Sequence, residues 1–381
     1  MIIGGLIMAI HITELNIETY RGIKSLKLNN LAPINIITGD NNCGKTSVLE
    51  VLRSIENPSD FRLWRTLIRR NSNDIRDGLS YFEGFCDLFD IDQIDKSIKY
   101  DVKYKDKKYE VVINAEVSEE ELLEDEYLKI IGYTHFQRIA PSKDGIQDYI
   151  VNPQKILLDI AVNGEKMSEN SVYEGQFRFK PDLRNIDSNA NQDKIVYITP
   201  EKHTTGYVYL NAVLNNSDMY EQMLAVLKEY DEDIISINYD NTSVEGTTSR
   251  GIYKILTKSH KKALPLNVYG DGMKKAVLLM SAAIAAKDGV LLIDEFETAI
   301  HTSAMDRTFA WIIEMCIKLN VQVFMTSHSK EAIDKLLKCS PQYTDMIAVY
   351  TLNKRENKTV VRRLDGYKAI EVQDNMGLEL R

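Results

Sequence analysis

The chain has 381 residues, with 47 lysines and arginines against 56 aspartates and glutamates, a formal net charge of -9 at pH 7. That balance excludes a protein that coats nucleic acid over its whole surface and leaves room only for a local basic groove. At 44% hydrophobic and 27% charged residues it is a globular chain with enough length for a large core, and its four scattered cysteines, Cys43, Cys86, Cys316 and Cys339, suit neither zinc nor a disulfide framework and fit a reducing, cytoplasmic setting.

The apolar start, MIIGGLIMAI, lacks a basic n-region and a cleavage site, so it reads as an upstream start or a first strand. No later segment approaches the ~18 apolar residues of a membrane span, and no membrane partner is expected. Ile10 to Leu28 alternates as a hairpin of two strands, and Pro33 to Thr38 is a third strand. It runs into Gly39-Asp40-Asn41-Asn42-Cys43-Gly44-Lys45-Thr46, a full GxxxxGK[ST] loop, followed by Ser47 and a helix from Lys45 to Ile55. The glycines allow successive N–H groups to turn inward around phosphate oxygens. Lys45 supplies a cation to the β- and γ-phosphates, and the Thr46 hydroxyl is a Mg²⁺ ligand. At the helix start beside Lys45, the Cys43 thiol is expected to be exposed and thiolate-prone.

Phe61 to Arg70 is an amphipathic helix with a basic outer face, Arg62, Arg65, Arg69 and Arg70. A grip on DNA or RNA backbone is one use for such a face, and plain solvation is the other. Strands follow from Ser97 to Glu116 around a turn at Lys105-Asp106-Lys107, with Lys103, Lys105, Lys107 and Lys108 open to the same nucleic-acid reading or to that of lysines that blunt an exposed strand edge. The acidic stretch Ser118 to Glu126 opens with a capping-box pattern, Ser118 to Glu121. Residues 90–194 are read as a β-containing lobe inserted between a first part, 1–89, and a last part, 195–381.

Beyond the lobe, strands at Ile195 to Thr199, Ile234 to Asn238, Val290 to Ile293 and Val321 to Thr326 alternate with helices. This is the pattern of a mainly parallel sheet covered on both faces. Val290 to Ile293 ends in Asp294-Glu295: Asp294 is placed to hold Mg²⁺, and Glu295 to orient and deprotonate the attacking water. Met346 to Leu364 closes the chain as a hairpin. Asn353-Lys354-Arg355-Glu356 sits in it, as its turn or as a guanine-reading motif. The pairs Asp90/Asp92 and Asp231/Asp233 read as solvated charge, not a nuclease metal site.

YGDGMKK, VLLIDEFETAIH and VFMTSHSKE, between Tyr269 and Ser329, stand in the order of signature, Walker B, D-loop and H-loop of ABC-type ATPase heads. The segment is most similar to the OLD-like ATPases, whose usual forms are GDGLKR, IDEIENGLH and TTHS. LNIETYRGIKSLKL resembles the strand pair before the P-loop of RecF- and SMC-like proteins. The resemblance implies an α/β, ABC-type P-loop ATPase head with a mainly parallel core sheet, antiparallel N-terminal strands and an inserted lobe. It also implies a Mg-dependent ATPase whose sites are completed in a head-to-head dimer. By position, Gly270, Asp271 and Gly272 form the turn that meets the γ-phosphate held by the other subunit, although no serine stands there. His328 is the switch histidine. His301 is the D-loop histidine, with Thr298 and Ala299 in place of the usual Asn and Gly. No clear Q-loop glutamine is present, Gln93 being the nearest. Relatives of this layout include ATPase subunits of bacterial antiphage systems such as Septu and PARIS. The resemblance thus implies a defence sensor or regulator acting on a separate effector, such as a Toprim- or HNH-type nuclease. A RecF-like repair ATPase and a nucleotide-gated binding module with little turnover are the alternatives.

Overall fold

The computed structural model describes residues 2–3, 6–7, 10–69, 79–132, 149–179, 195–203, 208–240, 252–298, 300, 302–355 and 358–376. In chain order the elements that matter are β1 (Ile12–Tyr20), β2 (Ile23–Leu28), β3 (Ile34–Gly39), α1 (Lys45–Ser54), α2 (Phe61–Leu67), α3 (Tyr81–Cys86), β4 (Ser97–Tyr104), β5 (Lys107–Glu119), α4 (Glu124–Ile131), β6 (Gln154–Val162) and β7 (Glu165–Tyr173). The second part contributes β8 (Ile195–Ile198), α5 (Ser217–Tyr230), β9 (Ile234–Asp240), β10 (Ile252–Thr257), α6 (Asp271–Ala285), β11 (Val290–Ile293), α7 (Thr302–Lys318), β12 (Gln322–Thr326), α8 (Lys330–Lys338), β13 (Ile347–Arg355), β14 (Lys358–Asp365) and α9 (Gly366–Met376).

Two six-stranded sheets result. The core sheet runs β8-β11-β12-β3-β13-β14 and is parallel until its last strand, which turns back as the expected hairpin. Its strands β8, β11, β12 and β3 are buried at every residue, which is why they are mostly apolar, with Asn35, Thr38, Gln322 and Thr326 the buried polar exceptions. The other sheet runs β7-β6-β5-β4-β1-β2 and is antiparallel. The β-rich stretch after residue 90 therefore adds four strands to the sheet that the N-terminal hairpin begins.

Helix α1 lies between the sheets. Ser47, Val48, Leu49, Glu50, Val51, Leu52 and Ser54 are all buried, and its aliphatic residues share one core with β1, β2, β4 and β6. A second core lies where α5, α6, α7 and α8 pack on the opposite face of the parallel sheet. Gln322 joins the layers: its amide exchanges hydrogen bonds with Ile12 N–H (2.7 Å) and Ile12 C=O (2.9 Å) and donates to Ala32 C=O (3.1 Å).

Several local expectations are corrected. The helix after β5 begins at Glu124 with no side-chain cap, because β5 continues through Ser118. A capping box does form at Ser80–Glu83, where the Ser80 side chain and Glu83 cap one another's backbone at the start of α3. Lys105 and Asp106 both have positive φ and make the tight turn between β4 and β5, which are interior strands, so these lysines blunt no edge. The arginines of α2 do not form a free basic face either. Arg65 stacks over Phe179, 4.1 Å from the ring centroid, and Arg69 is ion-paired to Glu50. Arg70 lies outside the described residues.

Candidate nucleotide-binding and catalytic site

The loop between β3 and α1 is shaped by its two glycines. At Gly39, with φ 140°, a Cβ would sit 2.3 Å from Leu352 O and 2.9 Å from Cys43 Sγ. At Gly44, with φ 101°, it would sit 2.8 Å from the Ile23 side chain. Asn42 also takes a left-handed conformation, with φ 63°. No side chain caps α1, so its first amides remain for an anion at the positive helix end. Lys45 Nζ donates to Gly39 O (2.8 Å) and Asp40 O (2.9 Å), which holds the ammonium across the loop. Cys43 departs from expectation. It is 5% exposed, and burial pushes its thiol up despite Lys45.

Across the sheet, β11 and β12 end together. Asp294 is 1% exposed, and burial pushes its carboxyl up while the hydrogen bond from Thr326 and the nearby Thr46 hydroxyl pull the other way. Oδ1 accepts from the Thr326 hydroxyl, whereas Oδ2 is buried with no hydrogen-bond partner. An orphaned carboxylate oxygen beside the Thr46 hydroxyl suits a hard cation. Among the described residues no cluster of three His, Cys, Asp or Glu could hold a metal alone, so phosphate and water would have to complete its shell. Glu295 follows in a left-handed conformation, φ 50°, uncommon for a side-chain-bearing residue. Its N–H donates to Thr326 Oγ1 (2.8 Å). His328, just past β12, has its Nδ1 3.5 Å from Glu297 Oε1, and that oxygen also accepts the His328 N–H at 3.3 Å.

The loop, Glu295 and His328 meet in an open cleft of about 710 Å³, of which Gly39, Asp40, Cys43 and Asp294 are not lining residues. Asn41, Asn42, Gly44, Lys45, Thr46 and Ser47 line one side, with Glu295 and His328 beside them. Arg21, Gly22, Ile23, Arg69 and Lys354 complete the lining, and sequence reasoning assigned none of them to this place. Arg21 and Arg69 share one anchor, Glu50, 4% exposed on α1. Its carboxylate accepts from Tyr20 Oη (3.0 Å), Arg21 Nε (3.0 Å) and Arg69 Nε (3.0 Å). Arg69 also donates to Ser47 Oγ (3.1 Å). The available signal was a glutamate inside the apolar run Val48 to Leu52 of α1, which demands cationic partners. Glu297, the partner of His328, was missed as well.

The signature residues lie elsewhere. Gly270 caps α6 and opens onto free space, and Asp271 pairs only with Lys274 (2.6 Å) while 73% of its side chain is exposed. Neither they nor Gly272 line the cleft. Gln93 is held in a turn by its N–H bond to Asp90 O and does not line it either. His301 and Ala299 lie outside the described residues. Asp90 is used in an ion pair with Lys24 (2.6 Å), and Lys354 belongs to the β13–β14 hairpin. Behind the acids, the buried Lys275 of α6 donates to His203 Nδ1, and burial holds both groups below their ordinary pKa values.

A glycine-rich loop with its lysine and threonine, paired across a parallel sheet with an acidic strand end, is the arrangement expected of a P-loop ATP hydrolase. The chain belongs to the family described as "AAA domain, putative AbiEii toxin, Type IV TA system", which matches residues 34–334. It is 26% identical over 346 residues to an "ATP/GTP phosphatase" of Helicobacter pylori, covering 85% of this chain and 87% of that protein. A shorter stretch of 52 residues is 42% identical to the DNA replication and repair protein RecF of Acinetobacter baumannii, 14% of each chain. Among solved structures, an SMC head bound to the C-winged helix domain of ScpA is similar with a TM-score of 0.48 and 12% identity, over 95% of this chain and 100% of that one. No helix among the described residues is long and apolar enough to cross a membrane.

Proposed function

We propose that the chain is a Mg-dependent ATPase working as a head-to-head pair of identical subunits. The observation that carries this reading is a separation: Lys45, Thr46, Glu295 and His328 share one cleft, whereas Gly270 to Gly272 do not line it and Gly270 opens onto free space. In each subunit Lys45 and the amides of 39–46 bind the phosphates. Asp294 Oδ2 and the Thr46 hydroxyl would hold Mg²⁺, which when bound neutralises phosphate charge. Glu295 accepts a proton from the attacking water, and His328, held by Glu297, orients toward the terminal phosphate. The α6 terminus of the second subunit then closes over the nucleotide.

The biological reading is a cytoplasmic sensor or regulator of a bacterial antiphage system, governing a separately encoded effector such as a Toprim- or HNH-type nuclease. The toxin–antitoxin description of the family and the OLD-like motifs support it. The local likeness to RecF supports a second reading, a DNA repair ATPase.

Glu295→Gln tests the mechanism. Glutamine keeps the shape but cannot take the proton, so turnover should fall ~10²- to 10⁴-fold while binding persists. Sedimentation with ATP should show a larger species for the variant than without nucleotide, and for the wild type only transiently. Unaltered turnover removes Glu295 from the chemistry, and unchanged assembly with ATP removes the paired-head arrangement.

A further inference from the structure

Lys275 is 0% exposed, and among the described residues its ammonium has no ion-pair partner. Burying it is costly, and the fields of Glu297, Glu295 and Asp294, none of them at ion-pair distance, offset that cost only in part, a cost that a methionine of similar length would not carry. Stability therefore does not explain why a lysine is there. What it contacts does. Lys275 projects from the second turn of α6, four residues beyond Asp271 and hence on the same face as the signature turn. It donates to His203 Nδ1, at the end of the short turn after β8. With Nδ1 accepting, the proton of the neutral ring is on Nε2, which donates to Asp294 O at 2.6 Å.

That carbonyl and the Glu295 N–H belong to one peptide unit. The N–H side is held by Thr326 Oγ1 at 2.8 Å and the C=O side by His203. The unit precedes a glutamate held at φ 50°, a conformation that must be imposed from outside. We propose that Lys275 is a positioning residue: through His203 it clamps the Asp294–Glu295 peptide, fixes the aim of the Glu295 carboxylate, and ties that aim to the start of the signature helix. This rests on hydrolysis at Glu295. In a paired head, nucleotide contact at Gly270 to Gly272 of one chain thereby reaches the acids of that same chain, and so its own nucleotide.

The test uses Lys275→Met and His203→Phe in the full chain, each measured for melting temperature, Mg-ATP affinity and kcat. Lys275→Met should melt at or above the wild-type temperature and bind ATP within about twofold, yet lose roughly 10- to 100-fold in kcat, the cost of misaiming a catalytic group. His203→Phe should lose kcat alike, and the double variant should be no slower than the worse single one. Wild-type kcat in folded Lys275→Met overturns the proposal, as does multiplicative loss in the double variant. Should Lys275→Met fail to fold, wild-type kcat in His203→Phe overturns it. Glu295→Gln measured alongside separates two failures: turnover that survives in Glu295→Gln condemns the assignment of the site, while turnover lost there but kept in Lys275→Met condemns only the clamp.

Discussion

Lys45 is the cation of the phosphate loop, and its two carbonyl contacts are ones that a ligand's oxygens can replace without moving the backbone. Lys45→Ala should weaken ATP binding roughly 10- to 100-fold, the scale of one or two charge-assisted hydrogen bonds, in a protein that still folds. Calorimetric affinity equal to wild type would take the loop out of the site. Gly39→Ala meets Leu352 O at 2.3 Å and an unfavourable φ, so it should destabilise the protein by about 2 kcal/mol or more, read as a lower midpoint in urea. Cys43 makes the opposite point to the one its position suggests. The helix terminus and Lys45 favour thiolate, but burial dominates and raises the pKa. Its alkylation should be slow near neutral pH and indifferent to saturating Mg-ATP; rapid labelling that ATP blocks would show that the loop opens.

At the scale of elements, α1 is held by charge as well as by its apolar sides. Glu50 ties it to the β1–β2 turn through Arg21 and to the end of α2 through Arg69. Glu50→Gln would leave a largely buried guanidinium without its anion and should cost ~3 kcal/mol. Arg69 would also be freed from Ser47, so ATP affinity should fall along with the melting temperature. A change in neither would show that the network is idle. The basic helix is similarly absorbed into the fold. Trp64 is 1% exposed with its Nε1 donating to Pro58 O at 2.8 Å, and Arg65 packs on rings, which leaves Arg62 beside Asp60. Nucleic-acid contact, if this ATPase makes any, is not expected along α2.

On the scale of the whole molecule, the cleft and the signature turn occupy different places on one chain, and pairing of heads would complete each site from two. Mixing supplies a stringent check. Lys45→Ala has an intact α6 terminus, and Gly272→Glu an intact phosphate loop. Each alone should be inactive, and a mixture should recover up to about a quarter of wild-type turnover, because half the pairs are mixed and each has one whole site. No recovery, with both variants folded, would mean that the sites are not shared.

What the sequence determined by itself is whatever a contiguous stretch can encode. The phosphate loop was legible because its backbone angles and its ligands fall within eight neighbouring residues. The parallel core was legible because strands buried on both faces are apolar at most positions. The acidic strand end needed only its own strand to be recognised. Tertiary structure decided the rest, since it depends on partners far apart in the chain. Gln322 meets Ile12, Glu50 meets Arg21 and Arg69, Glu297 meets His328, and Lys275 reaches Asp294 through His203. Periodicity reports which face of an element is buried but not what is buried against it. For Cys43 that missing fact reversed the chemistry, because desolvation by the surrounding fold outweighs the field of the helix end.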